Sequence, residues 1–313
     1  MRVLVTGGAG FIGGALVHAL LGGGGEVMVV DDLSTGSIDN LHPAAGFRTI
    51  DVTGPGLANV VIGYGPEVIV HFAAQVSAAA SIVDPDVDWR VNVEGTRAVA
   101  EAAVAAGARR VLFASSAAVY GEPQELPLTE ESSTEPAVPY GRSKLAAEGV
   151  LAEVLRPAGV DFACLRFANV YGPRQRADGE GGVVAEFGSR MARGITPTIF
   201  GSGTQTRDFI FVADIVSACA AAAAFEGTLA QPGANGPAYN VSTGLATSVN
   251  ALAEGLRVAM RYPGEIARGE AREGDVAASV LSPRKAADTF GWKAAVDLQA
   301  GLGATAAWFS QQS

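Results

Sequence analysis

Tyr140-Gly-Arg-Ser-Lys144 carries a phenol and a primary amine four residues apart. On a helix that spacing puts both groups on one face. A free phenol ionises near pH ~10, too high for an effective base at neutrality. A neighbouring ammonium favours the phenolate and lowers that value, so the pair can take a proton from a hydroxyl. Upstream, Ser115-Ser116 follows the apolar run from Arg110 to Ala114 and brings hydroxyls to a strand end. Tyr-x-x-x-Lys is also an ordinary surface pair on many helices. Its meaning depends on what the rest of the chain sets beside it.

A second concentration of chemistry lies in Val3-Leu-Val-Thr-Gly7-Gly-Ala-Gly10-Phe-Ile-Gly13-Gly14. An apolar run, a glycine turn and a helical pattern from Phe11 to Leu21 predict strand, turn and helix in that order. Glycines there let the backbone approach a diphosphate, whose charge then sits on the helix N-terminus. The spacing Gly7-x-x-Gly10-x-x-Gly13 is one residue wider at the front than the commonest dinucleotide fingerprint. A tight turn alone would read the same way. Asp31-Asp32 ends the next apolar run, Glu26 to Val30, about where a ribose-binding acid belongs.

These groups need a scaffold, and the remaining pattern supplies one. Further strands are predicted at Phe47 to Ile50, Glu67 to Phe72 and Asp161 to Phe167, and helices at Leu57 to Ile62 and Tyr140 to Leu155. A long helix should start at Asp84-Pro85, an N-cap acid followed by a proline tolerated at the first position, and stop at Gly107. Strands alternating with helices predict an α/β fold, a Rossmann-type doubly wound parallel sheet. Glu122 to Pro139 reads as a surface loop. Beyond Asn169 the strands shorten: Thr198 to Phe200, Asp208 to Val212, Tyr239 to Val241. With helices at Val183 to Arg193, Ala213 to Phe225 and Val249 to Arg261, this half predicts a smaller α/β substrate lobe over the sheet's carboxyl ends. The expected division is a dinucleotide-binding domain over 1–168, including the Tyr/Lys helix, and mainly a substrate lobe over 169–313, with some segments returning to the first domain.

Of the 313 residues, 49% are hydrophobic and 17% charged, which fits a folded enzyme. The net charge of −10 argues against a nucleic-acid partner, which needs an excess of Lys and Arg. Apolar stretches are interrupted well short of a membrane span, and no leader pattern precedes the first strand, so a cytoplasmic setting without membrane contact is expected. Cys164 and Cys219 lie in separate apolar runs, as buried free thiols would. His18, His42 and His71 are scattered, and no ligand spacing suggests a metal; His71 reads as a packed strand residue.

The ordered segments Thr6-Gly-Gly-Ala-Gly-Phe-Ile-Gly13, Asp31-Asp-Leu-Ser-Thr-Gly36, His71-Phe-Ala-Ala-Gln75, Asn92-Val-Glu-Gly-Thr96, Ser115-Ser-Ala-Ala-Val-Tyr-Gly121, Tyr140 to Lys144, Leu165-Arg-Phe-Ala-Asn-Val-Tyr-Gly-Pro-Arg-Gln175, Gly182-Val-Val-Ala185, Thr198-Ile-Phe-Gly201, Arg207-Asp208 and Arg272-Glu-Gly-Asp275 span nearly the whole chain. Jointly they resemble the extended short-chain dehydrogenase/reductase family and, within it, the UDP-glucose 4-epimerases. The resemblance implies NAD, contacted by Gly7, Gly10, Phe11, Ile12 and Gly13. Asp31 would bind the adenosine ribose and repel the extra phosphate of NADP. Asp32, Leu33, Ser34, Thr35 and Gly36 would also contact the cofactor, and Asp51 and Val52 would flank the adenine. Phe72, Ala73, Ala74, Gln75, Asn92, Ser115 and Phe167 would complete that site with Tyr140 and Lys144.

On the substrate side, the resemblance implies that Ser116 hydrogen-bonds the sugar 4-hydroxyl, Tyr140 is the base, and Lys144 tunes it and holds the nicotinamide ribose. Asn169, Arg207 and Arg272 would contact the diphosphate, and Thr198, Ile199 and Phe200 the uracil. Ala117, Ala118, Gly182, Val183, Val184 and Asp275 are further substrate-side positions. Ser279 occupies a gatekeeper position, where a small residue leaves room for an N-acetyl group.

Sugar 4,6-dehydratases resemble this chain but carry an Asp-Glu pair directly after the corresponding Ser/Thr, and UDP-glucuronate decarboxylases a glutamate. Ala117 and Ala118 offer only methyl groups. The remaining reaction is oxidation and re-reduction at C4, an epimerisation between UDP-galactose and UDP-glucose. A UDP-hexuronate 4-epimerase is the enzymatic alternative and would want a cation or hydroxyl cluster at the C6 carboxylate. A non-catalytic NAD-binding sensor would tolerate loss of Ser116, Tyr140 or Lys144, yet all three are present. The helices Asp84 to Ala106 and Tyr140 to Leu155 match the pair through which the family often dimerises, which implies a homodimer.

Overall fold

The computed structural model describes residues 1–177, 182–233, 235–271 and 276–312. The first half contributes six strands: β1 (Arg2–Thr6), β2 (Glu26–Asp31), β3 (Gly46–Thr49), β4 (Val68–His71), β5 (Arg110–Ser116) and β6 (Asp161–Phe167). All pair in parallel, in the order β6-β5-β4-β1-β2-β3. From β1 the chain winds outward to β3, crosses back to β4, and winds the other way. β1 and β4 therefore flank a switch point, and a crevice opens beyond their carboxyl ends. Val3 to Val5 and Val68 to Val70 are buried, as β-branched strands covered on both faces should be.

Six helices belong to this half: α1 (Phe11–Gly22), α2 (Leu57–Tyr64), α3 (Ala78–Val83), α4 (Pro85–Trp89), α5 (Gly95–Ala106) and α6 (Pro139–Ala158). One apolar layer joins Leu16 and Val17 of α1 to the sheet, and the other joins Leu57, Val99 and Leu151 of α2, α5 and α6. The long helix expected from Asp84 to Ala106 is interrupted. Asp84 does cap it, accepting from Val87 N at 3.0 Å, but a π turn over Arg90–Glu94 separates α4 from α5. The preceding helix α3, capped by Ser77, escaped the sequence because Ala78-Ala-Ala-Ser-Ile-Val is too short to show a period. Strand β5 also runs on through Ser115 and Ser116.

Three later segments return to the sheet. Strand Ala238–Val241 extends it beside β6, helix Val212–Ala224 packs on the α1 side through Ile215, Ala218 and Ala222, and helix Arg284–Phe290 joins the same layer through Ala286 and Phe290, whose ring meets Tyr239. The rest forms a lobe with its own core, where Phe187, Leu252 and Leu302 join helices Val183–Ala192, Val249–Ala259 and Leu298–Ser310. No helix among the described residues is long and apolar enough to cross a membrane.

Candidate active site

Helix α6 carries Tyr140 and Lys144, and its docking is set by a glycine. A Cβ on Gly141 would stand 2.5 Å from the Ala118 carbonyl oxygen and 2.8 Å from the Pro136 Cβ. Only hydrogen fits there, so α6 lies directly against the turn that follows Ser116. Ser116 Oγ accepts from Ala118 N at 3.1 Å, which leaves its own O–H free to donate. Ala117 and Ala118 form that turn and stay off the cavity wall. Ser81 Oγ accepts from Tyr140 N at 3.0 Å. Ser116, Tyr140 and Lys144 face one cavity of about 280 Å³.

Lys144 Nζ donates to the Ala114 carbonyl at 2.9 Å and lies 4.8 Å from the centre of the Phe113 ring and 6.0 Å from that of Tyr140. Burial lowers its pKa to about 8, against the opposing fields of Asp88 and Glu148. Glu148 accepts from Ser115 Oγ and from both Nε and Nη2 of Arg166, at 2.9 and 2.7 Å. Ser115 lines the cavity while its hydroxyl is committed to this buried pair. His71 is buried and pushed down to about 3, first by desolvation and then by Lys144. Its tautomer follows from its neighbours. Ala73 N donates to Thr6 Oγ1, which donates to His71 Nδ1; Nε2–H then reaches Thr96 Oγ1, whose proton goes to the Asn92 carbonyl. His71 is thus a neutral brace, as a packed strand residue should be.

The same cavity is walled by Gly7, Phe11, Ile12 and Gly13, by Asp31, Asp32, Ser34 and Thr35, by Asp51 and Val52, and by Phe72, Ala73, Ala74 and Phe167. Gly7 has φ +69, and a Cβ there would lie 2.6 Å from Ala73 N. At Gly10 an added Cβ would meet only the Gly7 carbonyl, at 3.2 Å, so the space above the start of α1 is open. No acidic side chain occupies that first turn. An open, acid-free helix start suits a dinucleotide diphosphate. Asp31 Oδ2 accepts from Ala9 N at 2.9 Å and Oδ1 from Leu33 N at 2.8 Å. Burial raises its carboxyl while those bonds pull it back.

Several expected contacts lie elsewhere. Gly10, Leu33 and Gly36 are absent from the wall; Leu33 and Gly36 instead shape the turn around Asp31. Gln75 and Asn92 stand behind it. Asn92 Oδ1 accepts from Gln75 N, and its Nδ2 faces Gln75 O, Ser143 Oγ and Asp88 Oδ1 at 2.9–3.1 Å. The amide therefore ties the loop after β4 to α6. The sequence reading also missed wall residues Asn40, Arg174, Gln175 and Arg176. The paired arginines after Gly172-Pro173 were a usable signal; Asn40 offered none.

A second cavity brings together Asn169, Val183, Thr198, Ile199, Phe200 and Arg207, joined by Gln205 and Phe209. Gly182 caps helix Val183–Ala192, but Val184 turns into the lobe core and is buried there. Helical geometry separates it from Val183. Ser279 pairs in register with Arg207 on an adjacent strand, off both walls. Arg272 and Asp275 lie outside the described residues. Among the described residues, no three His, Cys, Asp or Glu side chains could hold a metal.

A sheet wound both ways from a glycine turn, with Ser, Tyr and Lys on the cavity that this turn also lines, defines a dinucleotide-binding α/β protein. Residues 3–242 match the NAD dependent epimerase/dehydratase family, and the chain belongs to it. It is 40% identical to a UDP-glucose 4-epimerase of Mycolicibacterium smegmatis over 100% of both chains. It also resembles the Thermotoga maritima UDP-glucose 4-epimerase solved with UDP-glucose, with TM-score 0.94, 36% identity, and coverage of 100% of this chain and 99% of that one. The Thermus thermophilus UDP-glucose 4-epimerase complex with NAD gives TM-score 0.91, 36% identity and 99% coverage of each chain.

Proposed function

We propose that this protein is an NAD-dependent epimerase that inverts C4 of a UDP-hexose, interconverting UDP-galactose and UDP-glucose through a 4-keto sugar. The observation that carries the reading is the convergence of Ser116, Tyr140 and Lys144 on one cavity with the glycine loop and Asp31. Bound there, NAD would supply a hydride acceptor and return the hydride to the same carbon. The glycine loop and Asp31 would hold its diphosphate and adenosine ribose. Tyr140 takes the O4 proton, with Ser116 orienting that hydroxyl, and Lys144 keeps the phenol acidic and holds the nicotinamide ribose. Asn169 and Arg207 would hold the UDP diphosphate, Arg through its planar fork, and Thr198 to Phe200 the uracil. The cofactor body would be 1–168 with the returning strand and two helices, and the nucleotide-sugar lobe the remainder. The N-acetylated pair would be a further substrate of the same reaction. The working form would be a cytoplasmic homodimer joined through α5 and α6.

Incubation with a panel of UDP-sugars, followed by NMR, tests the reading. Interconversion of UDP-galactose and UDP-glucose is expected. Conversion of UDP-glucuronate alone would redirect it to the uronate epimerases, and no conversion of any UDP-sugar would leave a cofactor-binding sensor.

A further inference from the structure

We propose that the loop over residues 172–176 is a clasp across the bound dinucleotide, in which Arg174 pairs with the diphosphate and Arg176 latches the loop to the opposite wall. The proposal rests on the dinucleotide reading of that cavity. The loop leaves strand Asn169–Tyr171 and crosses the crevice. Arg176 Nη1 donates to the Thr35 carbonyl at 3.1 Å, in the turn after β2. Arg174 stands near His18 of α1, whose pKa is held down first by burial and then by that guanidinium. Both arginines line the cavity. The crossing is built into the backbone: Gln175 N donates to Gly172 O at 3.3 Å, Gln175 Nε2 donates to Val170 O at 3.1 Å, and Arg174 sits at φ 71, a conformation non-glycine residues avoid.

Charge points the same way. Asp31, Asp32 and Asp51 make the adenosine side anionic, and the start of α1 offers a diphosphate only backbone N–H groups. The cations on the described wall are Lys144, Arg174 and Arg176. Lys144 is tied to Ala114 beside Tyr140, and Arg176 to Thr35. Arg174 is the remaining cation on that wall, left to meet a diphosphate.

NAD binding to nucleotide-free protein, measured by calorimetry alongside the NAD dissociation rate, tests this without reference to turnover. Arg174→Ala should weaken NAD by about tenfold to a hundredfold, the range for a charge-assisted hydrogen bond. The deficit should shrink as salt screens the parent's pairing. Arg174→Gly, which suits the left-handed backbone while removing the charge, should lose as much. Arg176→Ala should speed dissociation, and Arg48→Ala, on exposed β3, should match the parent. Parent-like affinity in Arg174→Ala, or affinity restored by Arg174→Gly, would overturn the pairing. Protein that binds NAD in this pattern but converts no UDP-sugar would overturn the proposed function and leave the clasp standing.

Discussion

In the proposed reaction, Lys144 is the residue that sets the working pH. It is buried against Phe113 and Tyr140, with neutral His71 behind it and the carboxylates of Asp88 and Glu148 holding its proton. With its pKa near 8, the ammonium beside Tyr140 loses its charge as pH rises through about 8. Turnover should therefore fall above that pH in a kcat profile. Stability moves the opposite way. The unfolded chain keeps this proton to about 10.5 while the folded one releases it near 8, so Lys144's contribution to stability rises across that window. A falling rate beside a rising or flat urea midpoint would separate deprotonation from alkaline unfolding. Asp88→Asn keeps an oxygen for Gln75 and Asn92 but removes the charge, and should move the alkaline limb to lower pH. An unmoved limb would remove Asp88 from this role. Tyr140→Phe should cost about 10²- to 10⁴-fold in kcat, the range for a general base, with the fold intact by circular dichroism.

At the scale of elements, the close docking of α6 decides where Tyr140 points. Gly141→Ala would drive a methyl into the Ala118 carbonyl and Pro136, and both are backbone-held neighbours that cannot swing away. A shift near 1 Å is enough to cost about 10²-fold, so kcat should drop on that order in steady-state assays. The π turn at Arg90–Glu94 has a comparable task, because it turns Asn92 back toward Gln75 and Ser143. Asn92→Ala leaves the Gln75 backbone groups unpaired and should cost about 1–3 kcal/mol by urea unfolding. Much of this architecture was legible beforehand. The glycine turn, the strand ends carrying Asp31 and Ser116, and the Tyr/Lys helix each have a local signature in residue type and spacing. The π turn, α3 and the inward face of Val184 do not. They depend on which neighbour a side chain meets after folding, and Asn92 reads the same whether it touches a ligand or braces a loop. Arg174 and Arg176 were visible as residues, but their reach across the crevice was not.

Over the whole molecule, net charge of −10 is met in the cavity by few cations, which is why cofactor retention should depend on ionic strength. Protein purified at low salt should carry NAD, released on acid extraction and measured by absorbance. Sedimentation at micromolar concentration should give twice the chain mass if α5 and α6 join two copies; a monomer there would remove the homodimer from the reading.

The seventh strand has a consequence in time as well as in space. Ala238–Val241 pairs with β6 only after the intervening 168–237 stretch has been made. At ~5–20 residues per second of synthesis, a nascent chain would hold the apolar edge of β6 unpaired for roughly 4–14 s. An unpaired strand edge invites pairing with other chains. Chains stalled before residue 238 on the ribosome should therefore be captured by holding chaperones, and those extended past Val241 released.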